Sequence, residues 1–291
     1  MPSTRDIRRR IRSIRSTRQI TRAMELVAAA KMRRAQQQAV SARTYAALAW
    51  ELVQNLSRKI HPGRHALLRQ PLEVKNTGIV LLTSNRGLIG GFNANLISTA
   101  LAVAREENRA EFITLGKKGV MATRKRGFMI AAEFEKKDAT TSVLDIRPLS
   151  QLLVADFIAG KYDKIVVVSM EFLSTLRQKP TVRTLLPLPA RRDFNEAAEE
   201  FNEEPLDYLF EPSPDAVLEV LLPRLLEMQI YQALLETNAS EHSARMVAMK
   251  NASDAAQDLA LELTLDYNQI RQAAITKEIS EIVAGQLTLS R

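Results

Sequence analysis

The chain has 291 residues, 46% of them hydrophobic, so it can bury a substantial core and is not a disordered protein. It contains no Cys and only three His, which excludes disulfides and thiolate chemistry and leaves few ligands for a zinc site. The net charge of +8 suggests an anionic partner, and an aromatic content of 5% favours helices packed through Ala, Leu, Ile and Met.

The first 62 residues are predicted to form one long helix. Ser3 and Asp6 form a capping-box pattern, no Gly or Pro follows until Pro62, and residues 61–63 are a strong stop signal. From Met32 onward, apolar and small residues recur in alternating steps of three and four, which is typical of a coiled-coil seam. The seam positions are Met32, Ala35, Ala39, Ala42, Ala46, Ala49, Val53, Leu56 and Ile60.

The same register is interrupted when it is extended towards the N-terminus. Arg18, Thr21 and Glu25 occupy three successive seam positions, while Ile20, Met24 and Val27 move to a neighbouring face. We therefore predict that residues 18–27 face a different partner from the rest of the helix.

Charge is distributed unevenly along the chain. Residues 1–34 hold eleven Lys and Arg against two acidic residues, whereas residues 193–219 hold ten carboxylates and no basic residue. Such a separation predicts two different neighbours. The Arg-rich start also has the composition of a transit peptide, but it shows no small-residue cleavage site, which favours a segment of the mature fold.

Residues 72–190 change to short aliphatic runs that alternate with helical patterns. The predicted strands are 78–83, 112–115, 128–132, 164–168 and 182–188. The predicted helices are 91–108, 117–126 and 148–160. This order predicts a Rossmann-like α/β domain with a parallel sheet, and the continuous apolar runs predict strands covered on both faces.

After an acidic connector at 191–212, residues 213–291 are predicted to form a second long helix. Ser213 suits the N-cap and Pro214 the first helical position, and Pro223 predicts a kink or a short first piece. A seam in steps of three and four runs from Leu218 to Ala274. Two such helices, at 1–62 and 213–291, predict an antiparallel coiled coil flanking a central α/β domain, in which the longer C-terminal helix overhangs.

Residues 83–93 lie between the first predicted strand and the next helix, where dinucleotide-binding folds hold a phosphate. Their glycines match neither the dinucleotide spacing nor the P-loop spacing, so a structural turn is favoured over a nucleotide site. No catalytic constellation stands out elsewhere in the sequence. We therefore expect no enzyme activity, no cofactor and no metal.

Nucleic-acid binding is the alternative function that the basic N-terminal helix leaves open. Its Arg residues surround most of the helix, and no aromatic residue precedes Tyr45. A nucleic-acid surface would more often combine a basic stripe with aromatic residues. The pattern favours a solvated or acid-facing helix, with a basic helical nucleic-acid-binding protein as the alternative.

Four segments resemble the gamma subunit of F-type ATP synthase. They are residues 22–36, 83–93, 245–254 and 266–285. The resemblance covers nearly the whole chain and implies that the coiled coil is the rotating central shaft inside a ring of alpha and beta subunits. It also implies that the α/β domain sits against epsilon and the membrane-embedded c-ring, with one copy per complex, no nucleic acid, and catalysis on beta.

The resemblance also implies which residues meet the partners. An acidic beta loop is expected to face Met24, Lys31, Arg33 and Arg34. A polar catch for a second beta loop is expected at Arg271, Gln272 and Thr276. Contact with the c-ring or epsilon is expected at Tyr208, Phe210 and Glu211.

Two departures from plastid-type relatives refine the expectation. Those relatives carry a regulatory segment with a Cys pair, whereas this chain has no Cys, which excludes thiol control. The match begins near Ser3, which suggests a bacterial form without a cleaved leader. We therefore expect a peripheral protein on the cytoplasmic side of the cell membrane, attached to the membrane only through the c-ring.

Overall fold

The structure, a computed structural model, describes residues 4–59, 65–137, 142–188, 211 and 213–289. Of residues 43–59, 214 and 283–289 it describes the backbone only. The predicted capping residue Ser3, the stop at 61–63 and most of the acidic connector lie outside the described residues. The described chain forms two compact units, an α/β unit of residues 30–244 and a helical unit of residues 1–29 and 245–291.

Two long helices begin and end the described chain. The first helix, α1, is Thr4–Lys59, and the last, α5, is Pro214–Leu289. Pro223 lies inside α5, which continues across it as one helix, so the short separate first piece is not present. A proline at this position removes one backbone hydrogen bond, and the packing of the surrounding leucines offsets this loss.

Between the long helices, the described residues form five strands, three α-helices and two short 3-10 helices, Ala66–Leu68 and Val143–Asp145. The strands are β1 Asn76–Leu82, β2 Arg109–Leu115, β3 Ile130–Phe134, β4 Lys164–Phe172 and β5 Gln178–Leu186. The helices are α2 Phe92–Glu106, α3 Lys117–Lys125 and α4 Arg147–Ile158. These elements confirm the predicted alternation of strands and helices, with boundaries shifted by a few residues.

The strands form one sheet in the order β3-β2-β1-β4-β5. Strands β1 to β4 are parallel, but β5 runs antiparallel to β4, so the prediction of a wholly parallel sheet is wrong for its last strand. The reason is the short connection of residues 173–177, since a parallel return requires a crossover of about a dozen residues or more.

Both faces of the central strands are covered. On one face, Ile79, Leu81 and Val166 pack with apolar residues of α2. On the other face, Val80 and Val167 belong to a cluster that includes residues of α4 and the first half of α5. The edge strand β3 instead alternates between partly buried and exposed positions, as expected for a strand covered on one face. The other edge strand, β5, is exposed at Lys179 and Val182 and buried at Leu185 and Leu186.

The first half of α5 is therefore part of the α/β unit. Its residues in the sheet-facing cluster are Leu218, Leu222, Leu225, Leu226, Ile230, Ala233 and Leu234. Each fully buried leucine of this kind contributes roughly 1.5–3 kcal/mol of hydrophobic free energy. The compact units thus divide α5 near residue 244, whereas the sequence boundary at 213 assigned the whole helix to the coiled coil.

Candidate partner-binding surfaces

The helical unit is built on the seam predicted from the sequence. Ile7, Ile11 and Ala28 are buried on α1, and Met249 and Ala260 are buried on α5. Arg8 Nη2 donates a hydrogen bond of 2.7 Å to the Tyr267 hydroxyl, and the Arg8 guanidinium lies 5.4 Å from the ring centroid. Arg8 thus contacts Tyr267, whereas residues near Arg22, further along α1, line a groove with residues near Ser253, which come earlier in α5. The contacts therefore run antiparallel, as predicted.

A groove of about 870 Å³ opens in the helical unit where the seam is interrupted. Its α1 side carries Arg15, Arg18, Gln19, Arg22, Ala23 and Leu26. Its α5 side carries Ser253, Asp254, Gln257, Ala260 and Leu261. No residue of α1 between 15 and 27 is buried, so the two helices leave this stretch accessible to another molecule.

Apolar side chains remain exposed on the same stretch of α1. Ile20 is 58% exposed and Val27 is 56% exposed, and Met24 between them is partly buried. Positions 20, 24 and 27 lie on one helix face. An exposed apolar face of this kind is suited to a protein partner.

The last part of α5 extends beyond its contact at Tyr267. Residues 271–282 are exposed, which includes Arg271, Gln272 and Thr276. The Thr276 hydroxyl donates to the Gln272 carbonyl oxygen at 3.0 Å, and the exposed isoleucines Ile275, Ile279 and Ile282 share this stretch. A helix with apolar residues exposed at this spacing can pack into a further protein surface.

In the α/β unit, Lys31, Arg33 and Arg34 are exposed around the buried seam residues Met32 and Ala35. The three cations therefore lie off the seam and are accessible. Glu211 is exposed as well, while Tyr208 and Phe210 lie outside the described residues.

Residues 83–93 form a tightly bonded turn. Thr83 Oγ1 accepts from Gly119 N–H at 2.8 Å, and the Asn93 amide donates to Ser84 Oγ at 2.8 Å. The Asn85 amide donates to the Lys136 carbonyl oxygen at 2.6 Å. These side chains bond the protein's own backbone and one another, which supports the predicted structural turn.

The carboxyl end of the sheet, where doubly wound folds bind ligands, contacts α5. The pairing of β1 with β4 ends at Leu81 and Val168, and two residues further on Met170 N–H donates to Thr237 Oγ1 at 3.1 Å. Ligands of open α/β sheets bind at this switch in strand order. Here a helix of the same chain occupies part of it.

A buried ion pair lies nearby, and sequence analysis did not find it. Lys136 Nζ is 2.6 Å from Glu241 Oε2, and both side chains are almost fully buried. Glu241 lies in a polar stretch of α5, residues 236–243, and its burial requires a cation that a distant segment supplies.

Shifted pKa values occur at structural positions of the α/β unit. Burial raises the pKa of the Tyr162 hydroxyl to about 12, and Tyr162 donates to Glu111 Oε2 at 3.0 Å. Burial lowers the pKa of His65, whose Nδ1 accepts from Leu67 N–H. Neither group lies near the predicted site residues in the sequence, and both contacts organise the chain around the sheet.

None of the helices in the described part of the chain has the length and apolar character needed to cross a membrane.

Comparison with known proteins decides the family. A family model described as ATP synthase matches residues 3–289. Curated proteins named ATP synthase gamma chain include one from Moorella thermoacetica, 44% identical over 98% of both chains. Another, from Roseiflexus castenholzii, is 42% identical over 100% of this chain and 99% of its own length. The chain belongs to the ATP synthase gamma chain family.

Solved structures agree with this assignment at the level of the fold. A chain of the Euglena gracilis mitochondrial ATP synthase aligns with a TM-score of 0.67 at 19% identity, covering 98% of this chain and 94% of its own length. A chain of the Tetrahymena thermophila mitochondrial ATP synthase central stalk and c-ring aligns with a TM-score of 0.62 at 20% identity, covering 80% and 99%. These matches give no support to the nucleic-acid-binding alternative.

Proposed function

We propose that this chain is the rotating central-stalk subunit of an ATP synthase, which couples ion flow through the c-ring to ATP synthesis or hydrolysis on beta subunits. The observation that carries the proposal is the full-length match to gamma chains at 44% identity. The chain itself transmits torque and performs no catalysis. It attaches to the membrane complex peripherally, on the cytoplasmic side of a bacterial cell membrane.

The helical unit turns inside the ring of alpha and beta subunits. Its exposed face at Ile20, Met24 and Val27 and its groove lined by arginines support a contact with acidic and apolar parts of beta. Lys31, Arg33 and Arg34 are three further exposed cations of α1. Exposed cations attract an acidic loop over the Debye length of about 8 Å at physiological salt.

The exposed end of α5 provides a second contact with beta. Arg271, Gln272 and Thr276 hold a beta loop through hydrogen bonds, and their exposure supports this role. The α/β unit meets epsilon and the c-ring, with Tyr208, Phe210 and Glu211 at that contact.

Coupling follows from unequal contacts. An asymmetric shaft presents a different face to each beta subunit and biases the three sites towards different conformations by differences in contact free energy. Binding linkage is reciprocal, so nucleotide turnover that changes the preferred contact drives rotation, and rotation changes nucleotide affinity.

Assembly tests the proposal. The full chain is mixed with purified alpha and beta subunits of Moorella thermoacetica, and the complex is isolated by size exclusion. We expect one copy of the chain for every three alpha–beta pairs and ATP hydrolysis by the isolated complex. A chain that elutes alone, with alpha and beta subunits that assemble with their own gamma chain, would contradict the proposal.

A further inference from the structure

Six buried polar residues lie on the last turns of α5, at 236–243, before the α/β unit ends at Ala244. The α5 residues of the preceding sheet-facing cluster are apolar. We give the name polar clamp to five of the six, Glu236, Thr237, Ser240, Glu241 and Ser243.

The polar clamp bonds to several separate segments around the carboxyl end of the sheet. Thr237 accepts from the backbone of Met170 in β4 at 3.1 Å, and the Ser243 hydroxyl donates to the Thr175 carbonyl oxygen in the turn between β4 and β5 at 2.7 Å. Arg183 of β5 donates to Glu236 Oε2 at 3.5 Å. These bonds join α5 to β4, to β5 and to the turn between the two strands.

The ion pair between Lys136 and Glu241 is the most buried charged contact of the clamp. Its nitrogen and oxygen are 2.6 Å apart, and the two side chains are 4% and 6% exposed. Lys136 follows β3, and its carbonyl oxygen accepts from Asn85 in the turn after β1. A buried pair of this kind adds little net stability but can fix one geometry, because a misaligned pair leaves two charges unpaired.

Apolar and polar contacts resist twisting of α5 differently. The leucines at 218–234 gain free energy by leaving water, and this gain depends weakly on orientation. Hydrogen bonds and ion pairs depend strongly on distance and angle. Side-chain tips lie roughly 5 Å from a helix axis, so turning α5 by about 30° moves Glu241 by roughly 2.5 Å and breaks the ion pair.

We propose that the polar clamp fixes the rotational register of α5 against the sheet and carries torque between the α/β unit and the shaft. This inference rests on the proposed function, because torque passes through the chain only in a rotary complex. Glu241 of the polar clamp and its partner Lys136 are positioning residues. The leucines at 218–234 hold the helix on the sheet, and the polar clamp prevents it from turning there.

The test is the torsional stiffness of the assembled complex. The double variant Lys136→Met/Glu241→Met replaces the buried pair by apolar side chains of similar volume, a change that commonly preserves folding. A bead is attached to the α/β unit through Glu106→Cys, the only Cys in the chain, and its angular fluctuation is recorded during a pause in rotation. We expect a broader angular distribution and a loss of ion pumping per ATP, with the hydrolysis rate unchanged.

A second variant covers the case in which the double variant fails to assemble. Ser243→Ala removes the bond to the Thr175 carbonyl oxygen without burying a charge, and we expect a smaller broadening. The matched control Arg124→Met/Glu133→Met removes an exposed ion pair between α3 and β3 that includes no residue of the polar clamp, and should leave the distribution unchanged.

The outcomes separate the two proposals. A rotating wild-type complex whose clamp variants fluctuate as little as the control overturns the clamp and leaves the proposed function intact. A wild-type complex that assembles but does not rotate overturns the proposed function, and the clamp with it.

Discussion

Gly116 shows how one residue holds the turn after β1 in place. It has a φ of +107°, and a Cβ added there would lie 2.4 Å from the Thr83 carbonyl oxygen. Non-glycine residues rarely adopt this backbone conformation, and real Cβ contacts are never so short. The backbone at Gly116 therefore sets how closely α3 approaches the turn.

We predict that Gly116→Ala destabilises the α/β unit by about 3 kcal/mol or more, because it adds a steric clash to backbone strain. The measurement is the urea midpoint of unfolding. Gly127→Ala is the control, since Gly127 has a φ of +76° but its added Cβ meets no described atom within 4 Å. The control should cost roughly 1–2 kcal/mol, from backbone strain alone. Equal losses for the two variants would refute the clash.

The exposed cations of α1 carry a second prediction at the residue scale. Arg33→Glu/Arg34→Glu should lower the torque of the assembled complex, since each ion pair lost to an acidic beta loop is worth up to about 1 kcal/mol. The deficit should shrink as salt concentration rises. Torque is measured from the rotation speed of a bead under viscous load.

The control for this charge reversal is Lys125→Glu/Arg126→Glu, which changes the net charge equally on an exposed part of the α/β unit. Torque that falls equally in both variants would indicate a general charge effect and not a contact of Arg33 and Arg34.

At the scale of elements, α1 depends on small seam residues. Ala39 and Ala42 pack with Leu235 and Tyr231 of α5, whereas the neighbouring Val40 is 66% exposed. Alanine lets two helices approach closely, and a larger side chain would have to displace one of them.

We therefore predict that Ala39→Leu lowers stability by about 1–3 kcal/mol through overpacking of the seam. Val40→Leu, one residue away on the exposed side, should change stability by less than about 0.5 kcal/mol. Thermal unfolding of the full chain measures both. If Ala39→Leu leaves the stability unchanged, α1 and α5 move apart at this position with little cost in free energy.

The elements also show what the sequence could predict and why. The seam of α1 was predictable because one repeated spacing is imposed by helix geometry, and Ile7, Ile11, Met32 and Ala35 are all buried as predicted. The interruption at residues 18–27 was predictable for the same reason. A periodicity does not show which partner an exposed residue contacts, so the contacts of Met24 and Arg33 stay predictions.

Contacts between distant segments were harder to predict. Strand β5 runs antiparallel to β4 because only a short turn joins the two strands. An apolar run in the sequence predicts a strand but not the direction in which that strand runs. Helix α5 packs against both α1 and the sheet. The sequence does indicate the second contact, because Leu222, Leu226 and Ile230 form a second apolar stripe beside the seam. The pair Lys136–Glu241 joins residues 105 positions apart, which no local pattern reveals.

At the scale of the whole molecule, the charge distribution agrees with a subunit that has more than one neighbour. Arginines crowd the start of α1, where Arg15, Arg18 and Arg22 line an open groove. The α/β unit holds α5 through a leucine-rich face and the polar clamp. The two long helices, α1 and α5, each belong to both units.

Rotation of the chain within its complex is the most direct test of the account. The chain, with a bead on Glu106→Cys, is assembled with alpha and beta subunits fixed to a surface, and the bead is observed by microscopy while ATP is supplied. We predict rotation in one direction, in steps that stop when ATP is withdrawn. A complex that hydrolyses ATP while the bead only fluctuates about one angle would contradict the account.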